Sequence, residues 1–177
     1  MVGFRSYSVE NDEILKKKIE DSLKVVNDLS VPFKIIRDDF YKSQRAIFQL
    51  SSAGGYPDFK NGGENSAYAR RKQRLYGFKY PLLKATGKLE RATTRANAEG
   101  SRWEIKPDSL GIGYSKEKIP YGDFHQSDAP RTIMPLRKFM FIGPEAPSVA
   151  TSEQVGRLQR WISTIDVFVR RSMEAIE

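Results

Sequence analysis

The sequence has no cysteine and a single histidine, His125, among its 177 residues. The absence of cysteine excludes a disulfide framework and any metal site built on thiolates. Zinc and non-haem iron sites usually take two or more histidine or cysteine ligands, so His125 alone disfavours a histidine-based metal site. We therefore expect no metal and no other cofactor.

Long apolar runs are also missing. The chain has no stretch of about 18 consecutive apolar residues, which is the length that indicates a transmembrane helix. The first residues lack the apolar segment that a signal peptide requires. We expect a protein that stays in the cytoplasm where it is made and that does not contact a membrane.

A nucleotide-binding P-loop is incomplete in this sequence. Gly87 and Lys88 resemble its end, but Leu82 stands where the first glycine belongs and Leu89 where a serine or threonine belongs. Two residues that a P-loop needs to bind phosphate are therefore missing, and we do not predict a nucleotide-binding site here.

A catalytic triad would have to use His125 as its base. Asp123 and Ser127 are each two residues away, and this alternation does not place the three groups in triad geometry. We interpret His125 as a structural or interface residue and predict that the protein is not an enzyme. A small enzyme that uses His125 is kept as an alternative hypothesis.

The positive charge is concentrated in one stretch. The whole chain has 30 basic and 22 acidic residues, a net charge of +8. Residues 68–95 hold nine Lys or Arg and one acid, Glu90, so this stretch alone carries +8 and the remainder is neutral. Tyrosines and leucines alternate with these charges. We expect part of the stretch to pack on a core while its charges face a partner.

Apolar periodicity divides the chain into five parts of one predicted domain, residues 1–177. A helical part covers 1–50, with a break near Ser30 and a second helix from Phe33. The remaining parts are a Gly-rich loop at 51–66, a basic helical part at 67–95, a β-rich part at 101–143 and a C-terminal helix at 151–177.

Within these parts the sequence makes finer predictions. Helices are expected at 64–76, ended by Gly77, and at 82–94, with a break at Thr86-Gly87. Strands at 102–106 and 110–114 form a hairpin, a helical turn follows at 120–126, and a third strand covers 137–143. Thr151 caps the last helix, whose apolar face serves either the core or a subunit interface.

Three blocks of the sequence, in this order, form a known pattern. The first has Tyr68, Lys72, Gly77 and then Tyr80-Pro81-Leu82-Leu83-x-x-Thr86-Gly87-x-Leu89-x-x-Ala92. The second is Tyr121-Gly122-Asp123-Phe124-His125-Gln126, and the third runs from Pro135 to Gly143. Together they resemble the virion morphogenesis proteins of tailed phages, also described as tail completion or neck proteins, including the Mu-like family. Ser127 replaces a family glycine, and the third block is looser than the family pattern.

The resemblance implies an α+β fold, in which N-terminal helices and a long C-terminal helix pack on a small antiparallel β-sheet or partial barrel. It implies a structural virion protein that forms a ring with itself, a hexamer, between head connector and tail. The implied partners are the head connector or adaptor protein and the tail tube protein, with possible non-specific contact with genomic DNA in the channel. The implied location is the neck or tail of the virion, assembled in the host cytoplasm.

The residues that we expect at the partner or oligomer interface come from the basic stretch and from the blocks. They are Arg70, Arg71, Lys72, Arg74, Thr86, Gly87, His125, Gln126, Arg137 and Phe139. An alternative hypothesis is a nucleic-acid-binding module that uses residues 68–95, whose cations would contact phosphates and whose aromatic rings would stack on bases.

Overall fold

A computed structural model describes residues 12–50, 66–81, 83–127, 137–141 and 156–175. Helices α1 (Asp12–Asn27) and α2 (Ser30–Leu50) come first and are separated by a short break. The break lies at Asp28, whose carboxylate accepts a hydrogen bond of 3.0 Å from the Ser30 amide. Pro32 lies in the first turn of α2, where a missing N–H costs little, so the helix begins earlier than the predicted Phe33.

Two shorter helices follow, and glycines set their limits. Helix α3 (Ala67–Tyr76) begins with a hydrogen bond from the Ala69 amide to the Ser66 hydroxyl, 3.1 Å, and ends at Gly77 as predicted. Helix α4 (Lys88–Thr94) begins after Gly87, whose φ of 74° lies in the left-handed region. The predicted helix over 82–94 is therefore wrong for residues 83–87, and the predicted break at Gly87 is confirmed.

Strands β1 (Ser101–Ile105) and β2 (Leu110–Tyr114) form the predicted antiparallel hairpin. Its register pairs Trp103 with Ile112. The predicted helical turn is observed as the short helix α5 (Asp123–Gln126).

The predicted third strand is not a β-strand in its described part, residues 137–141. Helix α6 (Arg157–Glu174) is the last element. Residues 51–65 of the predicted loop at 51–66, the rest of the third strand at 142–143 and the predicted cap at Thr151 lie outside the described residues.

The buried apolar side chains form two clusters, and α2 contributes to both. The first cluster joins the end of α2 to α3, α4 and residues 137–141: Ile47, Phe48, Ala69, Leu83, Leu89, Ala92, Ile119, Phe139 and Phe141. The second joins the start and middle of α2 to α6: Phe33, Ile36, Phe40, Tyr41 and Trp161. Met140 packs against both clusters and connects them.

The fold class predicted from the sequence is confirmed. The protein is α+β, with a long C-terminal helix and a small antiparallel sheet. In the described part of the chain the sheet has the two strands of the hairpin and is not closed into a barrel.

Candidate functional site

Three of the predicted interface residues lie on the surface of α3. Arg70, Arg71 and Arg74 are all exposed, and α3 contains no acidic residue that could offset their charge. Tyr68 and Leu75 of the same helix are more than half exposed. Helix α3 therefore presents cations next to apolar side chains, which is the composition of protein and nucleic-acid contact surfaces.

Lys72 lies on the opposite side of α3 and is only 2% exposed. Its ammonium group donates hydrogen bonds to the carbonyl oxygens of Lys79, at 2.8 Å, and Pro81, at 2.6 Å. It also lies 5.3 Å from the centre of the Phe78 ring. Burial, with a further contribution from the charge of Arg137, lowers the pKa of Lys72 to about 8. Lys72 was expected to face a partner, but it holds the chain after α3 in place from within.

Gln126 binds the backbone of residues 137–141 with its whole amide group. Its Nε2 donates to the Met140 carbonyl at 2.7 Å, and its Oε1 accepts from the Phe139 and Met140 amides at 2.8 and 3.1 Å. From the other side, the Gln44 amide donates to the Phe139 carbonyl. Side chains thus satisfy the backbone groups that a neighbouring strand would satisfy in a sheet, which explains why residues 137–141 are not a β-strand.

Two further predicted interface residues belong to the interior. Phe139 is fully buried in the first cluster, with its ring centre 6.1 Å from that of Phe48 and 5.8 Å from that of Tyr114. Arg137 is 2% exposed. Neither side chain is available at the surface of the single chain.

His125 lies between the core and the surface. The edge of its ring meets the Phe139 ring, with 6.4 Å between the ring centres. The nearby carboxylate of Asp123 is engaged elsewhere: it accepts a 2.6 Å hydrogen bond from the Tyr114 hydroxyl and forms a 2.9 Å ion pair with Lys116. These bonds lower the pKa of Asp123, the hydrogen bond from Tyr114 having the largest effect. The carboxylate is thus not arranged to orient His125 as a base.

Sequence reasoning did not single out Arg157, a fully buried cation at the start of α6. Its guanidinium donates to the Phe141 carbonyl at 3.1 Å and to the Ser43 hydroxyl at 2.7 Å. It lies 5.1 Å from the ring centre of Phe40, and burial lowers its pKa to about 10. The available signal was its position four residues before Trp161, which places both side chains on one helix face.

A cavity of about 240 Å³ opens between α3, residues 83–89 and α5. Its lining includes three of the predicted interface residues, Thr86, Gly87 and His125. Tyr68 and Tyr76 of α3 and further residues line it as well: Leu83, Lys84, Ala85, Leu89 and Tyr121. The structure thus brings parts of the first and second sequence blocks together at one surface opening.

A second surface is apolar and lies on the long helices. On α1, Ile19, Leu23 and Val26 are each more than half exposed, and on α6 Leu158 and Ile162 are 41% and 51% exposed. The buried positions of α6 are Arg157 and Trp161. The apolar face predicted for the C-terminal helix is therefore largely outside the core of the single chain.

Within the described residues, no group of three or more His, Asp or Glu side chains is placed to hold a metal ion. None of the helices in the described ranges is both long and apolar enough to span a bilayer. Comparisons with protein-family models, with curated proteins and with solved structures find no match to this chain.

Proposed function

We propose that this chain is a structural protein of a tailed-bacteriophage virion. In this proposal it forms a ring in the neck or tail-completion region, joins the head connector to the tail, and catalyses no reaction. One observation carries the proposal: the three sequence blocks that resemble the virion morphogenesis family pack against one another at the first cluster. Leu83 and Leu89 of the first block and Phe139 of the third share the first cluster.

The second block connects to the third through Gln126, which binds the Phe139 and Met140 backbone. It connects to the first through the cavity, which His125, Thr86 and Gly87 line together. If the three blocks hold one fold together, they are expected to occur in the same order in every protein of that fold. This packing supports a structural role for the blocks over a catalytic role.

Self-association is supported by the apolar side chains on the outside of α1 and α6. Contiguous apolar patches on the surface of a soluble chain mark interaction sites. A ring requires a heterologous interface, in which one face of a subunit meets a different face of the next. The apolar side chains of α1 and α6 are the surface that we assign to this contact, in a ring of six copies.

The neighbouring virion proteins in this proposal are the head connector or adaptor protein and the tail tube protein. The exposed arginines of α3 favour an acidic surface on at least one of them. Strong positive charge along the DNA channel would bind the genome by releasing its counterions and slow its passage. We therefore assign α3 to a protein contact and only weak, non-specific contact to DNA.

The test has two parts. The purified full-length chain, observed by negative-stain microscopy, is expected to form closed rings. Mass spectrometry and cryo-electron microscopy of particles produced from the genome that encodes the chain are expected to find it at the junction of head and tail. A chain that stays monomeric at high concentration and is absent from purified particles would overturn the proposal.

A nucleic-acid-binding module is the second candidate, because exposed Arg71 and Arg74 lie on the same helix as the exposed rings of Tyr68 and Tyr76. Binding through phosphates weakens steeply with salt. This candidate predicts strong binding of duplex or single-stranded DNA of arbitrary sequence at low salt. No shift of DNA mobility at about 50 mM salt would remove it.

A further inference from the structure

The cavity between α3 and α5 has an apolar floor. Leu83 and Leu89 are 5% and 2% exposed and belong to the first core cluster, so the bottom of the cavity is the core itself. Tyr68, Tyr76 and Tyr121, all partly exposed, stand at its walls. Pockets for whole small molecules are commonly about 300–1,000 Å³, so a cavity of about 240 Å³ suits a single large side chain.

The rim of the cavity is positively charged. Lys84 lines the cavity, and a guanidinium nitrogen of Arg91 lies 3.2 Å from where a Cβ on Gly87 would be. Lys88 follows Gly87 directly and is exposed. Arg71 lies three residues after Tyr68 and is exposed on the same side of α3.

The acids of α4 and α5, Glu90 and Asp123, are both already paired. Glu90 forms a 3.0 Å ion pair with Lys84. Asp123 of α5 is bound by Lys116 and Tyr114. Within the described residues Arg71, Lys88 and Arg91 form no ion pair with a carboxylate, so the rim, with Lys84 and Glu90 included, carries a net positive charge. An anionic ligand would be attracted electrostatically by all of these cations.

We propose that this cavity binds one apolar side chain presented by an acidic segment of a neighbouring protein. The proposal rests on the virion assembly role and names the contact that α3 makes in it. A core-like floor calls for an apolar group, and the rim calls for carboxylates on both sides of that group. Leu83 and Leu89 at the floor offer no hydrogen-bond partner to a polar group placed there.

Fluorescence anisotropy with the full-length chain tests the proposal. The probes are labelled peptides DEDLDED and DEDADED, which differ only in the central side chain, and an oligothymidine of similar charge. We expect the leucine peptide to bind about tenfold more tightly than the alanine peptide, because only its side chain reaches the floor. Both affinities fall as salt rises from about 50 to about 200 mM.

Two kinds of variant separate the floor from the rim. Ala85→Leu fills the cavity and is expected to remove the preference for the leucine peptide. Arg71→Glu and Arg91→Glu are expected to weaken both peptides by about tenfold and to keep the preference. Lys17→Glu, a charge reversal on α1, is the matched control and leaves both affinities unchanged. Thermal melting of each variant verifies that it is folded.

Equal affinity for the two peptides, or no binding of either, would overturn the proposal. Tighter binding of the oligothymidine than of the leucine peptide would also overturn it and assign the cavity to nucleic acid. Ring formation and the presence of the chain in particles are measured without the peptides. Failure of the peptide test would therefore remove the assignment of the cavity and leave the assembly role to its own test.

Discussion

The Lys72 ammonium group donates hydrogen bonds to the carbonyl oxygens of Lys79 and Pro81. These carbonyl oxygens are neutral and bring no negative charge to the buried cation. Burial therefore determines the electrostatics of the site and lowers the pKa of Lys72 from its ordinary value of 10.5 to about 8.

This lowered pKa predicts a pH-dependent stability. Between about pH 8 and 10.5 the unfolded chain holds the Lys72 proton more tightly than the folded chain, so the free energy of unfolding rises with pH in that window. Below pH 8 the full penalty of burying the charge applies. Urea denaturation at several pH values is expected to show this rise in the native protein and to lose it in Lys72→Met. The exposed control Lys17→Met keeps the native profile.

Gln126 is predicted to be a large contributor to stability among the polar side chains. Gln126→Leu leaves the Met140 carbonyl and the Phe139 and Met140 amides without their partner, at a cost of about 2–4 kcal/mol in the free energy of unfolding. Gln73→Leu is the matched control, since Gln73 also donates to a backbone carbonyl, that of Gly77, but at the surface.

Gln73→Leu is expected to cost less than about 1 kcal/mol. Denaturation by guanidinium, with both variants measured under one condition, gives the comparison. Equal losses in the two variants would show that the contacts of Gln126 to residues 137–141 do not stabilise the fold.

At the scale of elements, one carboxylate makes two of the polar contacts between α2 and α6. Asp39 accepts a 2.8 Å hydrogen bond from the indole N–H of Trp161 and a 3.2 Å bond from Arg160. Its neighbour Asp38 pairs with Arg37 and is two-thirds exposed. Their adjacent positions in the sequence do not distinguish the two acids.

The two neighbouring acids form a matched pair of variants. Asp39→Ala leaves the buried indole N–H of Trp161 unsatisfied and is expected to lower the free energy of unfolding by about 1–3 kcal/mol. Asp38→Ala removes an exposed ion pair and is expected to change it by less than about 1 kcal/mol. Thermal unfolding, followed by the fluorescence of Trp161 and Trp103, measures both.

Local signals predicted the elements well. The alternation in 102–106 and 110–114 predicted the hairpin, and Gly77 and Gly87 predicted the ends of α3 and the break before α4. These features depend on residues close in sequence. The third strand was mispredicted because residues 137–141 have the apolar pattern of a strand but receive their hydrogen bonds from distant side chains.

The candidate site was harder to predict from the sequence, because it too depends on contacts between residues that are distant along the chain. Arg70, Arg71, Lys72 and Arg74 look alike in the sequence, yet only Lys72 is buried among them. Lys72 lies on the buried side of α3 because it follows Ala69 by three residues, and Ala69 packs into the first cluster. The cavity joins Tyr68, Thr86 and His125, which are far apart along the chain, so their proximity exists only in the folded protein.

At the scale of the whole molecule, the apolar side chains on α1 and α6 predict how assembly can be blocked. Leu23→Glu and Ile162→Glu each place a charge where the proposed ring contact would bury it, which is strongly unfavourable. We expect both variants to fold and to remain monomeric by light scattering. Both side chains are about half exposed in the single chain, so their replacement leaves the core intact.

Lys17→Glu is the control for these variants, because it changes the charge of α1 at an exposed polar position. It is expected to form rings like the native chain. If Leu23→Glu and Ile162→Glu also formed rings, the contact between copies would lie elsewhere on the molecule.

Trp161 completes the second cluster from the last described helix, while Phe33, Ile36 and Phe40 come from α2, more than 100 residues earlier. During translation, the early aromatic rings therefore leave the ribosome long before the indole that covers them. Until Trp161 is available, these aromatic rings remain exposed to solvent or bound by a chaperone. A chain cut before Arg157 should consequently be prone to aggregation, because the indole that covers this half of the interior is then missing.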